Sequence, residues 1–116
     1  MGNPVVHFEI CARNKTKQKA FYKKLLGWKI DDKNPMDYGM VSTGSKDGIE
    51  GGLYEAEKGQ KPGVTFYVQV KNLDDTLSKA RKLGGKVVMK PMAIPGAGIS
   101  IAMFKDPEGN CIGIMK

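Results

Sequence analysis

Apolar and polar residues alternate at two places in the chain. In residues 5–11, VVHFEIC, Val6, Phe8 and Ile10 fall on one side of an extended segment and His7, Glu9 and Cys11 on the other. Residues 64–70, VTFYVQV, repeat the pattern, with Val64, Phe66, Val68 and Val70 opposed to Thr65, Tyr67 and Gln69. A helical period follows each predicted strand. The first helix is expected from about Thr16 to Leu26, with Ala20, Phe21 and Leu25 on its apolar face. The second starts at an Asn72 cap with Asp75 three residues on, and carries Leu73, Leu77, Ala80 and Leu83. Glycine ends both, at Gly27 and at Gly84-Gly85.

Three strand-like segments come after each helix: 28–31, 38–43 and roughly 49–56, then 86–90, 99–105 and 110–115. Turn signals at Asp47-Gly48 and at Asp106-Pro107-Glu108-Gly109 separate the last two of each set. The chain therefore reads βαβββ twice, with residues 58–63 as the joint. LLGWKI at 25–30 and KLGGKV at 82–87 align at an offset of 57. The expected organisation is one domain, 1–116, made of repeats 1–58 and 63–116. The fold class is α+β: two βαβββ modules whose mixed sheets carry helices on the outer face. The opposite face, bearing His7, Glu9, Thr65, Tyr67 and Gln69, is expected to curve by strand twist into a cup.

Composition narrows the chemistry. At 116 residues, 41% hydrophobic and 27% charged, the chain is an ordinary globular one with room for one domain. It holds no run of 18 apolar residues, and MGNPVVHFEI lacks the basic and apolar regions of a secretory signal, so a cytoplasmic location is expected. Cys11 and Cys111 alone make neither a disulfide scaffold nor a zinc knuckle. His7 is the one histidine, which excludes within a single chain any metal site that needs two. The +7 charge rests largely on lysines along the helices, and with only Arg13 and Arg81 as arginines no nucleic-acid partner is expected.

The βαβββ repeat, FYKKLLGWKI at 21–30, KLGGKV at 82–87 and the ending DPEGNCIGIMK at 106–116 together resemble the vicinal oxygen chelate superfamily. This is the group of glyoxalases, bleomycin-resistance proteins and extradiol dioxygenases, and the resemblance covers nearly the whole chain. It implies paired modules around a cup-shaped site and a homodimer. In the metal-dependent glyoxalases of this superfamily, four strand positions supply two histidines and two glutamates. Carried over, the first falls on His7, fourteen residues before Phe21. The others fall on Gly51 in IEGGLYEA, on Thr65, and on Gly113, seven residues after Asp106. Glu50 reaches the second position only through a one-residue slip, which normally turns a side chain to the opposite face. The resemblance thus transfers the fold and the place of the site, while its donor set argues against a resident metal or other cofactor. The GG and CIG patterns resemble a glyoxalase-like branch of undefined activity.

His7 is the candidate catalytic residue, as a base or ligand, because an imidazole titrates near neutrality; a partly buried His satisfied by a neighbour is the alternative. Glu9, about 6–7 Å along the strand, is expected to orient a ligand or to pair with a lysine. Tyr67 and Gln69 take the matching places in the second repeat, either on a ligand or in a polar interface. Thr65, Met103 and Cys111 complete the expected substrate-binding set, with Cys111 read first as a small buried hydrophobe and second as a nucleophile. Residues 90–100, KPMAIPGAGIS, are expected to form a loop, either a lid over the cup or a plain connection. Two functions follow. One is a glyoxalase-like lyase or isomerase acting on a small oxygenated compound; the other is a protein that sequesters a metabolite or drug without turnover. A purely structural dimer is a third class.

Overall fold

A computed structural model describes residues 2–116. The elements run β1 (Val5–Ala12), α1 (Lys15–Leu26), β2 (Lys29–Asp31), β3 (Gly39–Ser42) and β4 (Gly51–Glu55), then β5 (Gly63–Gln69), α2 (Leu73–Lys82), β6 (Lys86–Ile94), β7 (Ile99–Lys105) and β8 (Cys111–Met115). This is the α+β, twice-written βαβββ order. Contacts divide the chain into two compact units, residues 7–64 and residues 65–116 joined by 2–6. Among the described residues, no helix is long and apolar enough to cross a membrane.

In the N-terminal module the strand order is β2-β3-β4-β1. β1 and β4 are parallel, with Phe8 opposite Gly51, Glu9 opposite Gly52 and Cys11 opposite Tyr54. The other two pairings are antiparallel. One face carries the core, in which Ile10, Ile30, Val41 and Leu53 are buried against Phe8, Tyr22 and Trp28. Gly51 belongs to this face, since a Cβ there would run into the Phe8 ring.

The helix is held as its sequence predicts. The Asn14 side chain accepts from the Lys17 amide at 3.0 Å, and Gly27 adopts the left-handed conformation (φ 70°) while donating to the Lys23 carbonyl. Its inward stripe is not the predicted one. Phe21 and Leu25 are 53% and 62% exposed, and Ala20 is exposed as well. The inward stripe is Lys15, Lys19 and Tyr22, spaced four and three residues apart along one side of the helix. Two interactions fix that rotation. Tyr22 stacks on Trp28 at 5.0 Å, and the buried Lys15 ammonium reaches Asp32 at 3.4 Å and Asp37 at 3.1 Å. Among the described residues of α1, Lys15 is the buried one.

In the C-terminal module the order is β5-β8-β7-β6, with β5 and β8 parallel and the rest antiparallel. Leu73 and Leu77 of α2 are buried with Ala102 and Ile114, and Val68, Val70, Val87 and Phe104 pack around them. Asn72 caps the helix by accepting from the Asp75 amide at 2.9 Å, and Gly84 turns the chain out of it at φ 98°. The segment 90–100 differs from its expected form. Ladder pairing of Met92 with Ile101, Ala93 with Ser100 and Ile94 with Ile99 draws most of it into β6 and β7. Register irregularities between Val87 and Met92 absorb Pro91, which cannot donate to the ladder. What remains between the strands is a turn of residues 95–98, too short for a lid.

Leu53 is fully buried at the centre of the N-terminal core. Leu53→Ala is expected to lower unfolding stability by about 3 kcal/mol, with an unchanged denaturant slope in urea titration. A loss below about 1 kcal/mol would show that the core is not organised around this side chain.

Candidate functional site

The face of the N-terminal module opposite its helix carries His7, Glu9 and Cys11 from β1. Parallel register sets Gly52 and Tyr54 of β4 beside Glu9 and Cys11, and extended by one step it sets Glu50 beside His7. The carboxylate position carried over to Gly51 is therefore one residue off, because Gly51 lies on the Phe8 side. Glu50 has the parity of His7 after all, since its carbonyl accepts from the Phe8 amide at 3.4 Å; it is exposed and precedes β4.

Tyr38, a residue the sequence reading passed over, organises this face. Its hydroxyl donates to Glu9 Oε2 at 2.8 Å and lies 2.9 Å from His7 Nε2. With the phenolic proton committed to the carboxylate, the Tyr38 oxygen can accept from His7 Nε2 in the tautomer that carries its proton there. The three rings of His7, Tyr38 and Tyr54 run nearly parallel, with centroids 6.3 Å apart at each step. Tyr54 accepts at its hydroxyl from Gln60 Nε2 at 2.6 Å. Burial raises the Tyr54 phenol above its ordinary range, helped by the Cys11 thiol and the Glu9 charge, so it stays a neutral hydroxyl.

Loop 32–38 delivers Tyr38 to this place. Asn34 grips both of its backbone groups, accepting from the Tyr38 amide at 3.0 Å and donating to the Tyr38 carbonyl at 2.6 Å. Asp37, just before it, adopts a left-handed conformation (φ 53°), and the Lys15 ammonium donates to its carbonyl at 2.5 Å. Burial draws the Lys15 pKa down, but the hydrogen bonds that it donates to Asp37 and Asp32 outweigh this and leave it above the ordinary value. Lys19 in turn holds Asp32 at 2.7 Å and lowers that carboxyl's pKa. What makes room for the phenol is Gly52: any Cβ there would overlap the Tyr38 hydroxyl. A glycine inside a strand is the sequence signal for such a close approach.

The C-terminal module presents its own face. Tyr67 is opposite Gly113 and Gln69 opposite Met115, with Met103 opposite Gly113 from the other side. Thr65 donates to the Cys111 carbonyl at 2.6 Å. Thr65, Tyr67, Gln69, Met103 and Cys111 thus share one face. Tyr67 is 4% exposed and Gln69 is open to solvent. The Tyr67 ring lies against Gly113, where a Cβ would strike it. Burial raises the Cys111 pKa, although Lys105 pulls the other way, so its thiol stays protonated and is a poor nucleophile at neutral pH. Among the described residues, no three His, Cys, Asp or Glu side chains come together in a way that could hold a metal ion.

Burial lowers the His7 pKa below its ordinary 6.5. The folded protein then holds a neutral ring that the unfolded chain would protonate first. This contribution to stability is complete above the unfolded value and is lost as the pH falls below about 6.5. His7 is the sole histidine, so one set of imidazole NMR signals reports it. The expected titration midpoint lies below 6.5; a midpoint above it would show that the Glu9 charge outweighs desolvation.

The sequence profile of the Glyoxalase/Bleomycin resistance protein/Dioxygenase superfamily matches residues 5–114. Among curated proteins none matches the chain. Solved structures of the same fold include a glyoxalase/bleomycin resistance protein/dioxygenase superfamily member from Vibrio splendidus 12B01, 16% identical over 98% of each chain with a TM-score of 0.67. A hypothetical protein from Bacillus halodurans C-125 is 16% identical over 99% of this chain and 94% of that one, with a TM-score of 0.70. Methylmalonyl-CoA epimerase from Mycobacterium tuberculosis is 16% identical over 96% and 85%, with a TM-score of 0.68. With its twice-written βαβββ order and a profile match over nearly its whole length, the chain belongs to the glyoxalase, bleomycin-resistance and dioxygenase superfamily.

Proposed function

We propose that the protein binds a small oxygenated metabolite on the polar face of its N-terminal module, and that His7 exchanges a proton with the ligand in a lyase- or isomerase-type reaction. The observation that carries this reading is the hydrogen-bonded chain from Glu9 through Tyr38 to His7. Such a chain fixes one tautomer and sets the basic nitrogen, Nδ1, away from the phenol. The neutral form that burial favours is the form able to accept a proton.

The chemistry suited to this arrangement is proton removal next to a carbonyl. The C–H bond breaks, its electron pair moves onto the carbonyl oxygen, and the proton rests on Nδ1. Returning that proton to the neighbouring carbon isomerises the compound, whereas inverting the original carbon needs a proton from a second donor, solvent or side chain, on its opposite face. Support comes from the fold, which in Mycobacterium tuberculosis serves an epimerase of methylmalonyl-CoA. Sequestration without turnover is the second reading. It is favoured by the Thr65 hydroxyl, which is committed to the Cys111 carbonyl at a place where metal-dependent relatives carry a histidine. A homodimer is part of the same proposal, supported by the apolar Phe21, Leu25 and Leu26 that α1 exposes.

Two carbonyl probes test the reaction in deuterated buffer: methylmalonyl-CoA, and the hemithioacetal of methylglyoxal and glutathione. Wild-type protein is expected to wash deuterium into the acidic C–H position of at least one, and His7→Gln to slow this by about 100-fold or more. Saturable thermal stabilisation by a probe without exchange would select sequestration. Exchange unaltered in His7→Gln would remove His7 from the chemistry.

A further inference from the structure

Gly52 and Gly113 occupy equivalent places in the two modules. Aligning VHFEI at 6–10 with VTFYV at 64–68 makes Glu9 equivalent to Tyr67. Parallel register then sets Gly52 opposite the first and Gly113 opposite the second. In each module a tyrosine ring fills the space over that glycine: Tyr38 over Gly52 and Tyr67 over Gly113, so close that neither position can carry a Cβ without a collision. Gly113 is the fourth-strand position where the resemblance places a metal-ligating glutamate. Gly52 is its counterpart by the repeat alignment, one residue beyond the carried-over Gly51, while Glu50, exposed and with the parity of His7, lies one residue before Gly51. At Gly52 and Gly113 a carboxylate is excluded by volume as well as by composition, because a tyrosine ring holds the space that its side chain would need.

We infer that in the N-terminal module Tyr38 replaces a metal-ligating carboxylate, so that His7 works within a phenol–carboxylate hydrogen-bond chain instead of on a divalent ion. The inference deepens the proposed function by naming how the face is kept polar and active without a metal, and it rests on that reading only for its relevance to catalysis. The exchange is a coupled one. Glycine at 52 admits the ring, and the ring brings a hydroxyl to within hydrogen-bond distance of both His7 and Glu9. A glutamate at 52 would be adjacent to Glu9 and His7 only if the ring were gone.

Divalent cobalt and zinc are the probes, and the NMR signals of the sole imidazole are the readout, so no organic ligand is needed. Wild-type protein is expected to show no broadening of the His7 signals at one equivalent of Co²⁺ and no thermal stabilisation by Zn²⁺. Tyr38→Ala/Gly52→Glu, which removes the ring and supplies the carboxylate, is expected to bring Co²⁺ onto His7 with at least tenfold higher affinity than wild type. Tyr38→Phe retains the ring and is expected to stay as metal-poor as wild type. Stoichiometric Co²⁺ at His7 in wild-type protein would overturn the inference even if no variant folds. So would a Gly52→Glu single variant that keeps the wild-type melting temperature, or a folded double variant with no gain of metal. Because deuterium exchange is not read here, a failure of this inference is distinct from a failure of the proposed reaction.

Discussion

One phenol above one glycine determines the N-terminal module's polar face. Tyr38 lies where a side chain from Gly52 would otherwise project, and from there its hydroxyl spans Glu9 and His7. A hydrogen bond to a charged partner contributes about 1.5–3 kcal/mol, and leaving a buried partner unsatisfied costs about as much. The arrangement that satisfies both contacts runs from phenolic proton to carboxylate and from imidazole proton to phenol. The proposed proton exchange at His7 depends on that order of donors and acceptors.

The rest of the module supports this contact. Asn34 fixes the backbone of Tyr38 on both sides, which is how a residue outside regular structure is held at a defined position. The left-handed Asp37 before it costs roughly 1 kcal/mol or more, and the Lys15 ammonium bonded to its carbonyl offsets that cost. Lys15 is the first residue of the helix, so the same cation sets the helix's rotation and anchors the loop. This double duty explains why α1 presents Tyr22 to the core while Phe21 and Leu25 face outward.

The strand and helix order was legible because both periods are clean: alternation in 5–11 and 64–70, helical spacing from the Asn72 cap. Alternation also placed Thr65, Tyr67 and Gln69 on one face of the second module. Three features were not legible. The α1 stripe was misread because Phe21 and Leu25 outweigh a lysine on any hydropathy count, although a lysine with two aspartates in reach can be buried. The 90–100 segment looked like a loop because Pro and Gly dominate it, yet one proline at an irregular register is compatible with a ladder. Tyr38 was missed because its partners are 29 and 31 residues away and no local pattern links them. The one local trace was the pair Gly51-Gly52 within a strand. Read as backbone that something approaches closely, it would have pointed to a ring on each face, Phe8 on one and Tyr38 on the other.

The contact between Tyr38 and Gly52 can be measured directly by a double-mutant cycle in urea unfolding. Gly52→Ala puts a methyl group where the hydroxyl lies and is expected to cost more than about 2 kcal/mol in the wild-type background. In a Tyr38→Ala background the same substitution is expected to cost less than about 1 kcal/mol, because the methyl group then enters vacated space. An equal cost in both backgrounds would show that Gly52 is required by something other than the phenol, and would contradict Tyr38 as the organiser of this face.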